Sequence, residues 1–189
     1  MVLGSHNAWS FAKPKKWWAK LIRFTAKCQQ YNIQDQYEKF GSRCFDLRIK
    51  FNSGGIPSVV HGPIEYNVDL FEDLEYINNK GDCSIRVVLD IRNSKVDVAE
   101  QQNLFIRFCK DIEQHFTNIK FFCGENIVTK EVIYDFGNSV SCEELYASVT
   151  YPKLIDDWFP WIYAKLHNKK NISKGTDREV LLIDFVNIQ

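Results

Sequence analysis

Two of the four histidines, His6 and His61, stand where strand-like runs give way to loops, each with a glycine close by. Polar residues mark the ends of other apolar runs. Asp46 and Arg48 lie in "CFDLRIKF", Asp90, Arg92 and Asn93 close "VVLDIRN", and Asp184 lies in "LLIDFVN". An imidazole titrates near pH 6.5, so one histidine of a pair can accept a proton while the other donates one. An arginine fork matches phosphate oxygens and neutralises the charge that grows on them during attack. Two imidazoles, several carboxylates and two guanidinium groups together suit cleavage of a phosphodiester without a metal. Each residue also has an ordinary reading. Asp46 and Arg48 could be a salt bridge on a sheet face, Arg92 a solvated loop residue, and Asp184 a polar residue in an apolar strand. His115 and His167 lie on helical patterns and are read as surface or core histidines. Convergence of the strand ends carries the expectation, and no single residue does.

That convergence depends on the elements. "MVLGS" reads as a short strand, and "CFDLRIKF" alternates, with Phe45, Leu47, Ile49 and Phe51 on one side and Asp46, Arg48 and Lys50 on the other. "NSGG" is a turn, so "IPSVVH" returns as the second arm of a hairpin. "SIRVVLDI", "IKFFCG" and "EVLLIDFVNIQ" are further strands. Helical spacing runs through "KPKKWWAKLIRFTAKCQQ", where Trp18, Leu21, Ile22 and Ala26 share a face and Pro14 suits a first turn. "IQDQYEKFG" reads as a short helix closed by Gly41. Asp69 or a neighbour caps an amphipathic helix that stops before Gly81, and "VDVAEQQNLFIRFCKDIEQHF" is the clearest helix. "LIDDWFPWIYAKLHNKK" is helical around Pro160, and residues 124–150 resist assignment. Strands alternating with helices predict α/β architecture with a parallel sheet, whose chemistry gathers at the carboxyl ends of the strands.

Composition narrows the partners. The chain has 189 residues, 24 basic and 24 acidic side chains and a hydrophobic fraction of 45%. One domain spanning residues 1–189 is expected. The charge balance gives no global attraction to nucleic acid, so none is expected as a partner. No apolar run approaches the roughly 20 residues needed to span a bilayer, and the start lacks the pattern of a signal peptide. The six cysteines show no zinc-site or disulfide-framework spacing and are read as buried free thiols.

In this order, "GSHNAW", "RCFDLRI", "VVHGP", "VVLDIRN" and "LLIDFVN" resemble the marker segments of the phosphatidylinositol-specific phospholipase C X-domain. The likeness is greatest to the small bacterial, metal-independent members, over about residues 4–93 and again from about 150 to the end. The resemblance implies a distorted TIM-type barrel, here short and with six or seven strand candidates, hence trimmed or incomplete. It implies cleavage of phosphatidylinositol, or a similar inositol phospholipid, to diacylglycerol and inositol 1,2-cyclic phosphate. His6 then resembles the general base, Asp184 the carboxylate that orients it, and His61 the general acid. Arg48 resembles the phosphate-binding arginine and Asp46 the carboxylate that holds the arrangement. Asn7, Asp90 and Arg92 are the candidates for substrate contact. Arg92 falls where bacterial members carry a lysine. Asn7 replaces the aspartate usual in those members; an amide can orient His61 but adds no negative charge.

Calcium needs several oxygen ligands, and two guanidinium groups in that space would repel it, so neither metal nor other cofactor is expected. In "KPKKWW", Trp17 and Trp18 cannot both face a core. One should point outward among Lys13, Lys15, Lys16 and Lys20, and Trp17, Trp18 and Lys16 are read as a membrane contact. The expectation is a monomer acting on a phosphatidylinositol-type lipid at a membrane surface. Free cysteines favour a cytoplasmic location, and family analogy favours a secreted one. Two alternatives stand beside this reading. One is a metal-dependent glycerophosphodiester phosphodiesterase-like enzyme, against which Asp46-x-Arg48 counts because the Glu-x-Asp pair is missing. The other is a non-catalytic module that binds inositol phosphate or lipid.

Overall fold

Alternation in "CFDLRIKF" makes β2 (Cys44–Phe51) the strand around which the others are laid. A computed structural model describes residues 1–92, 94–145, 159–175 and 177–189. On one side of β2 lies β1 (Val2–Ser5), which pairs in parallel with β2 and with β8 (Val180–Ile183). β8 pairs in parallel with β7 (Cys142–Leu145). On the other side, β5 (Ser84–Leu89) and then β6 (Lys120–Asn126) continue the parallel run. A hairpin, β3 (Pro57–His61) and β4 (Ile64–Glu65), extends antiparallel from the far end of β2 and completes an eight-stranded sheet.

The sheet curls into an incomplete barrel of the TIM type. Arg86 of β5 pairs with Glu144 of β7, although β2, β1 and β8 lie between those strands along the sheet. Such a contact requires the sheet to turn back on itself. The outer face follows the alternation. Phe45, Leu47, Ile49, Ile85, Val87 and Leu89 are buried against helices α3 (Leu70–Lys80) and α4 (Val98–His115), which contribute Leu74, Ile77, Phe105 and Ile112. Burying each such side chain contributes about 1.5–3 kcal/mol. The inner face mixes an apolar floor of Cys44, Phe122, Val180 and Leu182 with a charged layer above it. Gly4 belongs to that floor: a Cβ there would lie 2.5 Å from Leu182 Cδ2 and 3.0 Å from Cys44 Cβ. β1 can therefore approach β8 and β2 only without a side chain at this position.

Helix ends are well specified. Asn32 caps α2 (Ile33–Glu38), Asp69 caps α3 and Asp97 caps α4 through side-chain oxygens that accept backbone N–H groups. Pro160 opens the last helix, α5 (Pro160–Lys174), rather than interrupting one; the part of that expected helix at residues 154–158 lies outside the described residues. β7 falls in the stretch that resisted assignment.

Two expectations need correcting. The helix expected from Lys13 onward is only α1 (Ala19–Ile22), followed by a 3-10 turn at Arg23–Thr25. Pro14 bridges Tyr66 instead, and the neighbouring backbone bonds Lys15 N–H to Glu65 O and Asn67 N–H to Lys13 O. The segment thus runs alongside β4, where a proline needs no helical N–H partner. Moreover, Trp18, Leu21 and Ile22 do not form a buried stripe; only Ala19 of α1 is buried. The last strand also ends at Ile183, before Asp184.

Candidate active site

β1 and β8 end beside the first half of β2, which brings His6, Asp46, Arg48 and Asp184 together, and the end of β3 adds His61. His6 N–H bonds Ile183 O at 3.0 Å, so the pairing of β1 with β8 continues just far enough to place His6 beside Asp184. His6 Nδ1 lies 2.7 Å from Asp184 Oδ1. The turn that follows is made by Asn7, in the left-handed region at φ 44. Gln29 ties the same corner: its buried amide donates to His6 O at 3.1 Å and Ile183 O at 2.9 Å and accepts from Val186 N–H at 3.1 Å.

The hydrogen bonds fix the tautomers. Arg48 has donors only, and its Nη2 lies 2.7 Å from His6 Nε2. Nε2 must therefore accept, and Nδ1 carries the proton donated to Asp184. Arg48 Nε meanwhile donates to Asp46 Oδ2 at 2.9 Å, and Asn7 N–H donates to the same oxygen at 3.1 Å. Burial resists charge on Asp46, but Arg48 and Arg86 outweigh it and hold the carboxyl below its ordinary value. Burial, with Arg48 second, keeps His6 well below its ordinary 6.5 and hence neutral.

His61 faces His6 with ring centroids 6.2 Å apart and planes at 87°. Its Nδ1 donates to Ala26 O at 2.9 Å, because a carbonyl can only accept. Nε2 makes no hydrogen bond among the described residues. Burial, then Arg48, pushes His61 down to about 4. Asn7 was expected to orient this ring. Instead its side-chain amide lies 3.5 Å from His6 Nε2 and 4.0 Å from Cys28 Sγ, and the Ala26 carbonyl is what orients His61. Asp90 is fully buried, and its carboxylate accepts from Gly62 N–H at 3.0 Å and from Arg92 Nε and Nη2 at 2.8 and 2.6 Å. The pair clamps the turn after His61 to the end of β5. Asn93 lies outside the described residues.

Sequence reasoning missed two participants. Cys28 is buried with Sγ 3.8 Å from His61 Nδ1, and burial followed by the Asp184 charge raises its thiol well above the ordinary range. No spacing in the sequence marked it. Arg86 lies beneath the site, where it pairs with Glu125 and Glu144 and approaches Asp46 Oδ1 at 3.7 Å. Its signal was legible: a charge in the apolar run "SIRVVL" shares a strand face with Asp90 four residues on.

His6, Cys28 and Asp184 form, among the described residues, the one group of three or more such side chains with ligand atoms within 4.8 Å of one another. These N, S and O donors resemble a zinc set, not the all-oxygen shell of calcium. The Arg48 bond opposes that use, since with Nε2 accepting, Nδ1 holds a proton and has no lone pair for a metal.

The fold is a curled, incomplete barrel of the TIM type. In structure it is similar to the bacterial phosphatidylinositol-specific phospholipases C. A Listeria monocytogenes structure matches with TM-score 0.60 and 17% identity over 97% of this chain and 87% of the other. Two mutant structures of the Staphylococcus aureus enzyme match with TM-scores 0.60 and 0.62, at 15% and 14% identity, over 97% of this chain and 84% of theirs. No family model and no curated protein sequence matches the chain.

Proposed function

We propose that the chain cleaves phosphatidylinositol, or a similar inositol phospholipid, to diacylglycerol and inositol 1,2-cyclic phosphate without a metal. One observation carries this reading: Arg48 sits between Asp46 and His6 Nε2, with His61 facing the same space. A phosphodiester anion competes with His6 for the Arg48 fork. When Nη2 turns to the phosphate, the bond from Arg48 Nε to Asp46 Oδ2 still holds the side chain, and the Nε2 lone pair of His6 is released. His6 then takes the proton of the inositol 2-hydroxyl, and Asp184 stabilises the imidazolium. The oxygen attacks phosphorus, the bond to the glycerol oxygen breaks, and His61 Nε2 supplies the proton to that leaving group. Proximity of the 2-hydroxyl to phosphorus makes cyclisation favourable. With Asn7 contributing no charge, the substrate's own anion must raise the basicity of His61.

The surface supports a lipid substrate. Trp17 is 75% exposed and Trp18 36%, beside Lys16, and Leu21, Ile22, Phe24 and Trp161 are exposed too. Phe24 stacks on Phe159 at 5.4 Å, two residues before the Ala26 carbonyl that holds His61. This apolar edge therefore adjoins the mouth, with its indoles and cations suited to a headgroup layer. The test is incubation with phosphatidylinositol micelles in excess EDTA, followed by phosphorus NMR. Cyclic inositol phosphate is expected. Turnover only after calcium or magnesium is added favours the metal-dependent alternative, and binding without turnover favours a lipid-binding module.

A further inference from the structure

Arg48 is not the last cation on its strand face. Lys50 follows by two residues on β2, so both side chains leave the same face, roughly 7 Å apart along the strand. Ser58 lies opposite Lys50 in the β2–β3 pair, and Glu65 lies opposite Val60 in the β3–β4 pair. Lys50 Nζ binds Glu65 at 3.0 Å, with the two side chains only 12% and 21% exposed. Lys15, on the segment alongside β4, donates to Ser58 Oγ at 3.2 Å. Lys16, Lys50, Ser58 and Glu65, with Ser94 and Lys95 of the loop after Arg92, line a cavity of about 260 Å³.

Charge is unbalanced there. Lys16, Lys50 and Lys95 line the cavity and Lys15 reaches its wall, whereas Glu65 is the one acidic side chain among the described lining residues. Burial pushes the Glu65 carboxyl up, but its bond to Lys50 and the fields of Lys50, Lys16 and Lys15 hold it below its ordinary value, so it offsets one lysine and no more. In a chain with 24 cations and 24 anions this local excess is not a background property. The cavity includes no arginine among its described lining residues, so its lysines act on an anion as point charges. Compact ammonium groups with serine hydroxyls between them suit a small tetrahedral anion.

The geometry points to a second anion site in this cavity, one that binds a phosphate group in its doubly charged form, apart from the phosphodiester position at Arg48. Two sources share that chemistry: a phosphomonoester on a lipid headgroup and free inorganic phosphate. The inference does not rest on turnover, only on the basic cavity beside the mouth.

Amide NMR of the whole chain tests it. Titration with inorganic phosphate is expected to shift the amides of Ser53, Ser58, Ser94 and Val96 saturably, and less so as ionic strength rises. Lys50→Gln is expected to weaken binding roughly fivefold or more, and Lys95→Gln, on a loop where folding is not at stake, by a similar factor. Phosphatidylcholine vesicles carrying a phosphatidylinositol monophosphate supply the lipid arm. If they displace inorganic phosphate from these amides, the source is a headgroup; if phosphate binds and the vesicles do not compete, the source is the free ion. The amides of Asn7 and Gly62 report the catalytic position in the same spectra. Shifts there alone overturn the second site and leave the proposed reaction standing, and shifts at the cavity alone support the second site, with the proposed reaction judged separately by turnover of phosphatidylinositol. Absence of saturable shifts with either probe, or unchanged affinity in both variants, overturns the inference.

Discussion

Arg48 has only donors to offer, and much of the site follows from that. It settles which nitrogen of His6 carries a proton, it holds Asp46 ionised, and it occupies the Nε2 lone pair of His6, the proposed base. Lysine cannot hold Asp46 and reach a phosphate at once, so Arg48→Lys is expected to lower kcat/KM by about 10²–10³-fold, measured on a soluble substrate; a loss below about fivefold would argue against this double duty. The histidines make a pH prediction. In the free protein His61 is pushed down to about 4 and His6 lies well below 6.5. The acid must be protonated and the base neutral, so kcat/KM should rise as pH falls from 8 toward about 5. A flat profile through neutrality would remove His61 from the role of acid. At this scale the sequence was informative about identity and poor about partners. His6 and Asp184 declared themselves by residue type just past apolar strands and Arg48 by its charge within one, whereas Cys28 and the Ala26 carbonyl were invisible because a fold, not a motif, brings them to His61.

At the scale of elements, Arg86 is the buried counterpart of the open seam. It links β5 to Glu125 on β6 and Glu144 on β7 and lies near Asp46 on β2. Arg86→Met leaves those carboxylates without their cation and is expected to cost about 3–5 kcal/mol of stability, read from urea midpoints. A change under about 1 kcal/mol would show that the cross-barrel ion pairs do little. Gly4→Ala should also destabilise, since backbone and Leu182 must move to admit the methyl. The turn before α1 makes a different claim: Trp17→Ala is expected to weaken binding to anionic vesicles roughly tenfold, measured by sedimentation, and unchanged binding would remove it from the contact. Elements with strong period-2 or capped helical patterns were legible, as β2, α3 and α4 show. α1 was not, because its apolar residues face outward and periodicity cannot tell a core face from an exposed one.

For the whole molecule, β1 beside β8 brings the two ends of the described chain to one place, and the hydrogen-bonded pair His6–Asp184 spans nearly its full length. The parallel order was readable from alternating strands and helices; the curl was not, since it depends on Arg86 reaching across four strand positions and on the absent side chain of Gly4. A site assembled this way ties stability to pH. His61 is neutral in the fold and titrates near its ordinary 6.5 when unfolded, so its contribution is present above pH 6.5 and is lost as pH falls toward about 4. The loss is roughly 3 kcal/mol at most, and His61→Phe should flatten that part of a stability–pH curve. The central claim, that His6 is the base of a metal-free phosphodiester cleavage, is met most directly by one comparison. Phosphorus NMR of phosphatidylinositol micelles in excess EDTA should show cyclic inositol phosphate with the native chain. With His6→Ala, folded by circular dichroism, the rate should fall by about 10³-fold or more; a rate within a few-fold of the native one would contradict the account.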